Sequence, residues 1–407
     1  MSKLSRQAAI VGAARTTGFN VEGHTIPELL ARAAKMAIED AGLRKSDIDG
    51  IITTQVAGFG SDPRLQYRFA EYLGFGRYAK VIDLPHTGGM SSGYANNQAR
   101  WYLQQGLANY VMVLDGGNWR ESYLSRGRDM GAAVRPYRES MRSPHPYDWE
   151  MPYGTGGAYS IYAPVGARHM YEFGTTSEQL AAIAVACRKH ATMNERACLR
   201  DPITIEDVMT SRWISWPHHL LDCAYIAPGF ATAYIVTSAE RAHDSPKPPV
   251  WILGAGHGMS YYHVGNLCTP SPEGFDIVRT VGKMAGDQAF GEAGVSRSDI
   301  DCLQVYDSFT TTALLAIEDF GFCEKGEGGP FVEGGRIELG GELPLNTHGG
   351  LLSEGQSGNG TLAVMYEGIS QARGEAGERQ AAEKPMVCIG GASGVASNFG
   401  CTILQRD

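Results

Sequence analysis

The stretch "DLPHTGGMSSGYAN", Asp83 to Asn96, reads as a glycine turn opening into a helix. Enzymes set nucleophiles in such places, against backbone N–H groups and the positive end of a helix dipole. Met90 occupies the slot where a thiol would serve, and a thioether has no proton to lose and makes a poor acyl carrier. Ser91 and Ser92 follow it with hydroxyls, which need a neighbouring base to become nucleophiles. The other groups able to move a proton are Tyr306 in "VYDSFT", His348 in "NTHGGLLSEGQ", Cys388 in "VCIGGASG", and His86 and His145. Taken alone, each is an ordinary packed or hydrogen-bonded residue: a free tyrosine ionises only near pH 10, and cysteine is among the most buried residue types. The pairs His218–His219 and His257…His263 have no cysteine or carboxylate at motif spacing, and no HExxH occurs, so no metal is expected.

Those groups must be held by elements that the pattern makes legible. "AAIVGAARTTG" reads as a buried strand entering a loop. "TIPELLARAAKMAIEDAGL" has helical spacing, with Thr25 and Glu28 suited to a capping box and Gly42 to a stop. After "RKSDID" comes the strand "GIITTQV". The same order returns as "PVWILGAGHGMS", a helical "GFDIVRTVGKMAGDQAFGEAGV" and "SRSDIDCLQVYDSF", with "SDID" repeated at Ser46 and Ser298. Then "TGGMSSG", a helix and "NYVMVLDGG" are matched by "HGGLLSEGQSGNG", a helix and "PMVCIGGASG".

The fold class is therefore α/β: two copies of a strand-and-helix unit in a layered architecture, 1–245 forming the first half and 246–407 the second. Within the first half, about 118–245 reads as a large insertion rich in Arg, Tyr, Trp and Pro, suited to a cap or an interface. "GAGHGMS" does not spell GxGxxG before a helix, so no dinucleotide site is read there.

With 407 residues, 43% of them hydrophobic, the chain can bury a large core. A net charge of -9 argues against a broad nucleic-acid surface. Eight cysteines without a CxxC pair suit reduced thiols and a cytoplasmic protein. The N-terminus lacks the apolar core of a signal peptide. The most apolar run, "CAYIAPGFATAYIVTSA", is broken by Pro228 and Gly229 and reads as a buried strand rather than a membrane span.

A duplicated chain carrying "VYDSFT" (305–310), "NTHGGLLSEGQ" (346–356), "ISQARGEAGERQ" (369–380) and "CIGGASG" (388–394) in that order resembles the thiolase superfamily, over essentially its whole length. Within that superfamily it is similar to the sterol-carrier-protein thiolase-like branch. The resemblance implies a duplicated layered fold of two βαβαβαββ-type halves and chemistry at a carbon–carbon bond beside a CoA thioester. It also implies four chemical positions. The nucleophilic cysteine's place falls on Met90, by the spacing of Gly93, Gly106 and Gly116, and the activating histidine's place falls on Gln356 in "GQS". The third position, asparagine or histidine in the family, is Tyr306. The fourth, an acid/base cysteine, is Cys388. His348 lies in a family active-site loop, and Gly89, Met90, Ser91, Gln356 and Gly391 are implied to hold the thioester.

Thiolytic cleavage needs a covalent acyl acceptor, whereas retro-aldol cleavage of a β-hydroxyacyl-CoA releases a free ketone or aldehyde and needs none. It needs a base for the hydroxyl proton, donors for the thioester enolate and an acid for its carbon. The expected enzyme is a thiolase-like aldolase acting on a bulky, steroid side-chain type of β-hydroxyacyl-CoA. Tyr306 is expected as base, its pKa lowered by His348, with Cys388 beside it as acid. The CoA thioester is the substrate, and no covalently bound cofactor is expected. The resemblance further implies a homodimer and a small partner with an OB-fold and a zinc ribbon. Two other readings stay open: a thiolase or acetyl-CoA acetyltransferase-like enzyme using Ser91 or another acceptor, and a non-catalytic scaffold that binds acyl-CoA.

Overall fold

Short apolar strands alternating with glycine-stopped helices build one mixed sheet covered on both faces. The computed structural model describes residues 6–16, 24–53, 70–75, 79–83, 89, 91–117, 158–260, 276–357, 360–393 and 396–407. Its strands are β1 (Ala8–Arg15), β2 (Gly50–Thr53), β3 (Val81–Asp83), β4 (Tyr110–Gly117), β5 (Trp213–Ser215), β6 (His218–His219), β7 (Phe230–Ser238), β8 (Val250–Met259), β9 (Cys302–Tyr306), β10 (Val387–Ser393) and β11 (Asn398–Arg406). Nine of these form a sheet in the order β3-β2-β4-β7-β1-β8-β11-β10-β9, and β5 and β6 form a separate hairpin.

The repeat seen in the sequence is the symmetry of this sheet. Outward from the antiparallel β1–β8 junction, β7, β4 and β2 on one side answer β11, β10 and β9 on the other. Directions agree as well: β2–β4 and β9–β10 are parallel, while β4–β7 and β10–β11 are antiparallel. Each "SDID" serves the same purpose in its half. The carboxylates of Asp47 and Asp299 accept the backbone N–H of Arg44 and Ser296, capping a short turn. Two residues on, Asp49 accepts Asn109 and Tyr110 N–H at the start of β4, and Asp301 accepts Met386 N–H just before β10.

β7 corrects the extent of the insertion. Residues 230–238 are a fully paired strand between β4 and β1, the counterpart of β11, so the segment lying outside the repeat ends before Phe230. Composition cannot separate an apolar strand of the repeat from an apolar strand of an insertion; only the pairing does.

Helices Ile26–Asp40 and Gly282–Ala293 cover one face of the sheet, and Ser91–Gln104 and Thr361–Arg373 cover the other. The glycines of "GAGHGMS" lie inside β8, where both layers touch the strand backbone. A Cβ on Gly256 would fall 2.0 Å from the Ala285 carbonyl oxygen, and one on Gly93 would fall 1.9 Å from that of Gly256. Close helix–strand approach explains these glycines. Thr25 N–H is accepted by Glu28, and Gly42 ends the first helix with a φ of +67°. Among the described residues no helix is long and apolar enough to cross a membrane.

Candidate active site

Four of the singled-out residues meet at the ends of β9 and β10. Tyr306 is the last residue of β9 and pairs with Gly391 of the parallel β10. Gly391 has a φ of +142°, and a Cβ there would come within 2.7 Å of the Tyr306 Cβ. Gly89, just before the Ser91–Gln104 helix, packs on the other side of that strand. Its N–H donates to the Ala392 carbonyl at 3.0 Å, and a Cβ on it would lie 2.3 Å from the Gly391 carbonyl carbon. Gln356 completes the group by donating its amide hydrogen to the Tyr306 phenol oxygen at 2.7 Å. Its own backbone is pinned between Tyr225 and Ala227, donating to the carbonyl of the first and accepting from the N–H of the second.

The Tyr306 ring packs against Leu351 and Ala363 in a small apolar cluster and is 8% exposed. Burial pushes its phenol above the ordinary tyrosine value, and Tyr162 and the carboxylate of Asp115 add to the effect, so Tyr306 is protonated at neutral pH. This overturns the expectation of a lowered pKa supplied by His348. After burial, the groups that weigh most on Tyr306 are Tyr162 and Asp115, and both raise its pKa. His348 lies 3.7 Å from Glu354 with its side chain 1% exposed, and burial pushes its imidazole below the ordinary value, so it carries no charge to lend.

Cys388 is corrected too. In β10 the residues three apart point to opposite faces, so Cys388 turns away from the side on which Gly391 meets Tyr306. Its thiol is fully buried in the apolar cluster with Val305 and Phe399, 3.6 Å from the Cys401 sulfur. Burial pushes its pKa well above the ordinary thiol value. Nothing in the run "VCIGGASG" marks which face the thiol takes.

Ser91 is fully buried at the first turn of its helix. Met90, His86 and His145 lie outside the described residues. His218 bonds Thr311 at 2.7 Å and stacks on Phe309, and His257 meets the Asn97 amide at 3.2 Å, both in structural roles. Among the described residues no group of three His, Cys, Asp or Glu could hold a metal ion.

Two carboxylates were missed in the sequence. Asp307, directly after Tyr306, is fully buried; its carboxylate accepts the Leu351 N–H at 2.7 Å, and burial pushes its pKa up to about 7. Asp115 stands near the end of β4, 3% exposed. A polar residue that breaks an apolar strand, as in "VMVLDGG", is the signal that could have found it.

Residues 273–406 match the family of thiolase C-terminal domain-like sequences. The chain is 36% identical to a steroid side-chain-cleaving aldolase of Thermomonospora curvata, over 91% of this chain and 93% of that one. This chain belongs to the thiolase superfamily. Within it, the place is the sterol-carrier-protein thiolase-like branch. This thiolase-superfamily chain is also 35% identical to the 17-hydroxy-3-oxo-4-pregnene-20-carboxyl-CoA lyase of Mycobacterium tuberculosis, over 91% of this chain and 92% of the lyase. Among solved structures it superposes on an Ltp2-ChsH2(DUF35) aldolase with a TM-score of 0.83 and 32% identity, covering 100% of this chain and 99% of that one. In this chain Gly89, the end of β9 and the Gln356 loop meet beside Tyr306 and Gly391.

Proposed function

We propose that this thiolase-superfamily enzyme cleaves a carbon–carbon bond in a bulky β-hydroxyacyl-CoA by a retro-aldol reaction, releasing a ketone or aldehyde and a shorter acyl-CoA. The observation that carries the reading is the Tyr306–Gln356 hydrogen bond at the point where the two halves' loops meet. An amide, Gln356, stands where the resemblance implies the histidine that activates a cysteine, a phenol, Tyr306, stands where it implies asparagine or histidine, and the nucleophile's implied place is Met90. The side-chain chemistry suits proton movement without acyl transfer. The two relatives named for steroid side-chain cleavage and for a pregnene-carboxyl-CoA lyase support the same substrate class.

A protonated Tyr306 sets the roles. Its oxygen accepts from Gln356 and has a second lone pair for the substrate hydroxyl, while its own hydrogen is free to pass to a carboxylate. Asp115, whose charge already bears on the phenol, is the group suited to receive it. The hydroxyl proton then moves to Tyr306 as the tyrosine proton moves to Asp115. As the carbon–carbon bond breaks, its electron pair enters the thioester enolate. The enolate oxygen needs hydrogen-bond donors, and the Gly89 N–H, held by the Ala392 carbonyl, is not one of them. The proton then returns from Asp115 through Tyr306 to the enolate carbon, which completes the shorter acyl-CoA and restores both groups.

Incubation with a 17-hydroxy steroid side-chain CoA thioester, followed by product analysis and intact-mass measurement, tests the reading. Free ketone and a shortened acyl-CoA with no protein adduct are expected. A stable acyl adduct would instead point to the transferase reading through Ser91. A small OB-fold and zinc-ribbon partner is proposed to act with this chain, as the two-component aldolase of similar fold suggests. A homodimer through the sheet of the first half, whose edge among the described strands is β3, is proposed as its assembly. Light scattering at micromolar concentration checks it, and a monomer would refute it. The cytoplasmic reading rests on eight cysteines scattered without a CxxC pair or regular spacing.

A further inference from the structure

The turn Ser353–Ser357, which carries Gln356, is stitched into the rest of the molecule residue by residue. Leu199 N–H donates to the Ser353 carbonyl, Arg188 Nε to the Ser353 hydroxyl, Cys198 N–H to the Glu354 carbonyl, and Phe230 N–H to the Ser357 hydroxyl. Between Glu354 and Gln356 stands Gly355, with a φ of +108° that favours glycine; its N–H donates to the Gly350 carbonyl at 3.4 Å, and a Cβ on it would lie 2.7 Å from the Ala227 Cβ. The residues flanking Gly355 supply the other contacts that hold the turn. On one side the backbone of Gln356 is pinned by Tyr225 and Ala227. On the other stands Glu354.

The Glu354 side chain is 2% exposed and faces three nitrogens: Arg15 Nη2 at 3.4 Å, Arg196 Nε at 3.5 Å and His348 Nε2 at 3.7 Å. Arg15 ends β1 in the first half, is itself 3% exposed, and lies 4.3 Å over the Phe230 ring with a hydrogen bond to the Thr232 hydroxyl. Arg15 Nε and Nη2 and Glu354 Oε1 have no hydrogen-bond partner among the described residues, so the attraction between them is one of charge in a place that excludes water. Arg15 and Glu354 come from different halves, and neither has a role in the chemistry described above.

We propose that the buried Arg15–Glu354 pair is a positioning device: it draws the turn carrying Gln356 onto the first half and thereby fixes the hydrogen bond that aims the Tyr306 phenol. Its consequence for rate rests on the aldolase reading, but its structural content does not. A one-ångström displacement of a catalytic group costs about 10²-fold in rate, and without the pair the aim of Gln356 is left to its backbone bonds with Tyr225 and Ala227.

The test combines kinetics with a probe that needs no turnover. Glu354→Gln keeps the shape of the side chain and removes its charge. It is expected to lower kcat about 10²-fold with KM within about threefold. In the Gln356→Ala background the same substitution should change kcat no further, because the pair acts through Gln356. In protein labelled with 13C at tyrosine Cζ, the Tyr306 resonance, assigned by its loss in Tyr306→Phe, should move in Glu354→Gln as it does in Gln356→Ala. Arg15→Lys, which keeps the charge and loses the fork, should move it the same way by less, and it carries the test should Glu354→Gln not fold. Additive kinetic effects, or a Tyr306 resonance unmoved in these variants, would overturn the proposal. Failure of the wild-type protein to cleave the substrate would sink the aldolase reading alone, since the resonance is read without turnover.

Discussion

Gln356 donates its side-chain amide to the phenol oxygen of Tyr306 at 2.7 Å, joining a loop of the second half to the last residue of β9. The amide can orient the phenol but cannot take its proton, and burial keeps that proton in place. In the proposed reaction Tyr306 works as a relay, taking a proton as it gives one away, and Asp115, whose charge bears on the phenol, must be a carboxylate for that relay to run.

Tyr306→Phe removes the relay oxygen and keeps the ring that packs on Leu351 and Ala363. Turnover of the CoA thioester is expected to fall on the order of 10² to 10⁴-fold, with thermal unfolding little changed. Asp115→Asn should fall in the same range. Near-wild-type rates in both variants would leave the scaffold reading in its place.

Cys388→Ala should behave as a core substitution. The thiol contacts Cys401 in the apolar layer, so a loss of about 1–3 kcal/mol in denaturant unfolding is expected, with kcat within a few-fold of wild type. A loss of 10²-fold or more in kcat with unchanged stability would restore it as an acid.

Met90→Ala, at the position proposed to stand in the nucleophile's place, should keep turnover within about tenfold, since a thioether carries no acyl group. Abolished activity in a folded variant would contradict a reaction without covalent catalysis.

Asp307 links stability to pH. Its folded pKa, up to about 7, lies above the value of about 3.9 for an unfolded aspartate, so the folded state binds the extra proton between those values. Stability on this account is highest below pH 4 and is lost as pH rises to 7, by an amount on the order of 4 kcal/mol. Asp307→Asn removes that dependence. Urea unfolding at pH 5 and pH 8 should show wild type losing stability relative to the variant as pH rises. Parallel behaviour of the two proteins would mean that Asp307 is ionised throughout.

Much of the fold was legible because duplication writes each local device twice. The two "SDID" segments cap equivalent turns and seat equivalent strands, and such contacts between near neighbours in the chain follow from residue type and spacing. The strand in "CAYIAPGFATAYIVTSA" was legible as a strand but not as a member of the repeat, since that depends on its pairing with β1 and β4. The convergence of Gly89, Gly391, Tyr306 and Gln356 follows from loops matched one by one. What the sequence left open is which way a side chain points and what surrounds it. Cys388 and Gly391 stand in one glycine-rich run, yet the pleat of β10 sends the thiol into the core and leaves the glycine under Tyr306. His348 stands in an active-site loop, yet it packs against Glu354 and is neutral. The direction of the Tyr306 pKa and the meeting of Arg15 with Glu354 were decided by tertiary structure alone, because burial and charge act through space between residues far apart in the chain.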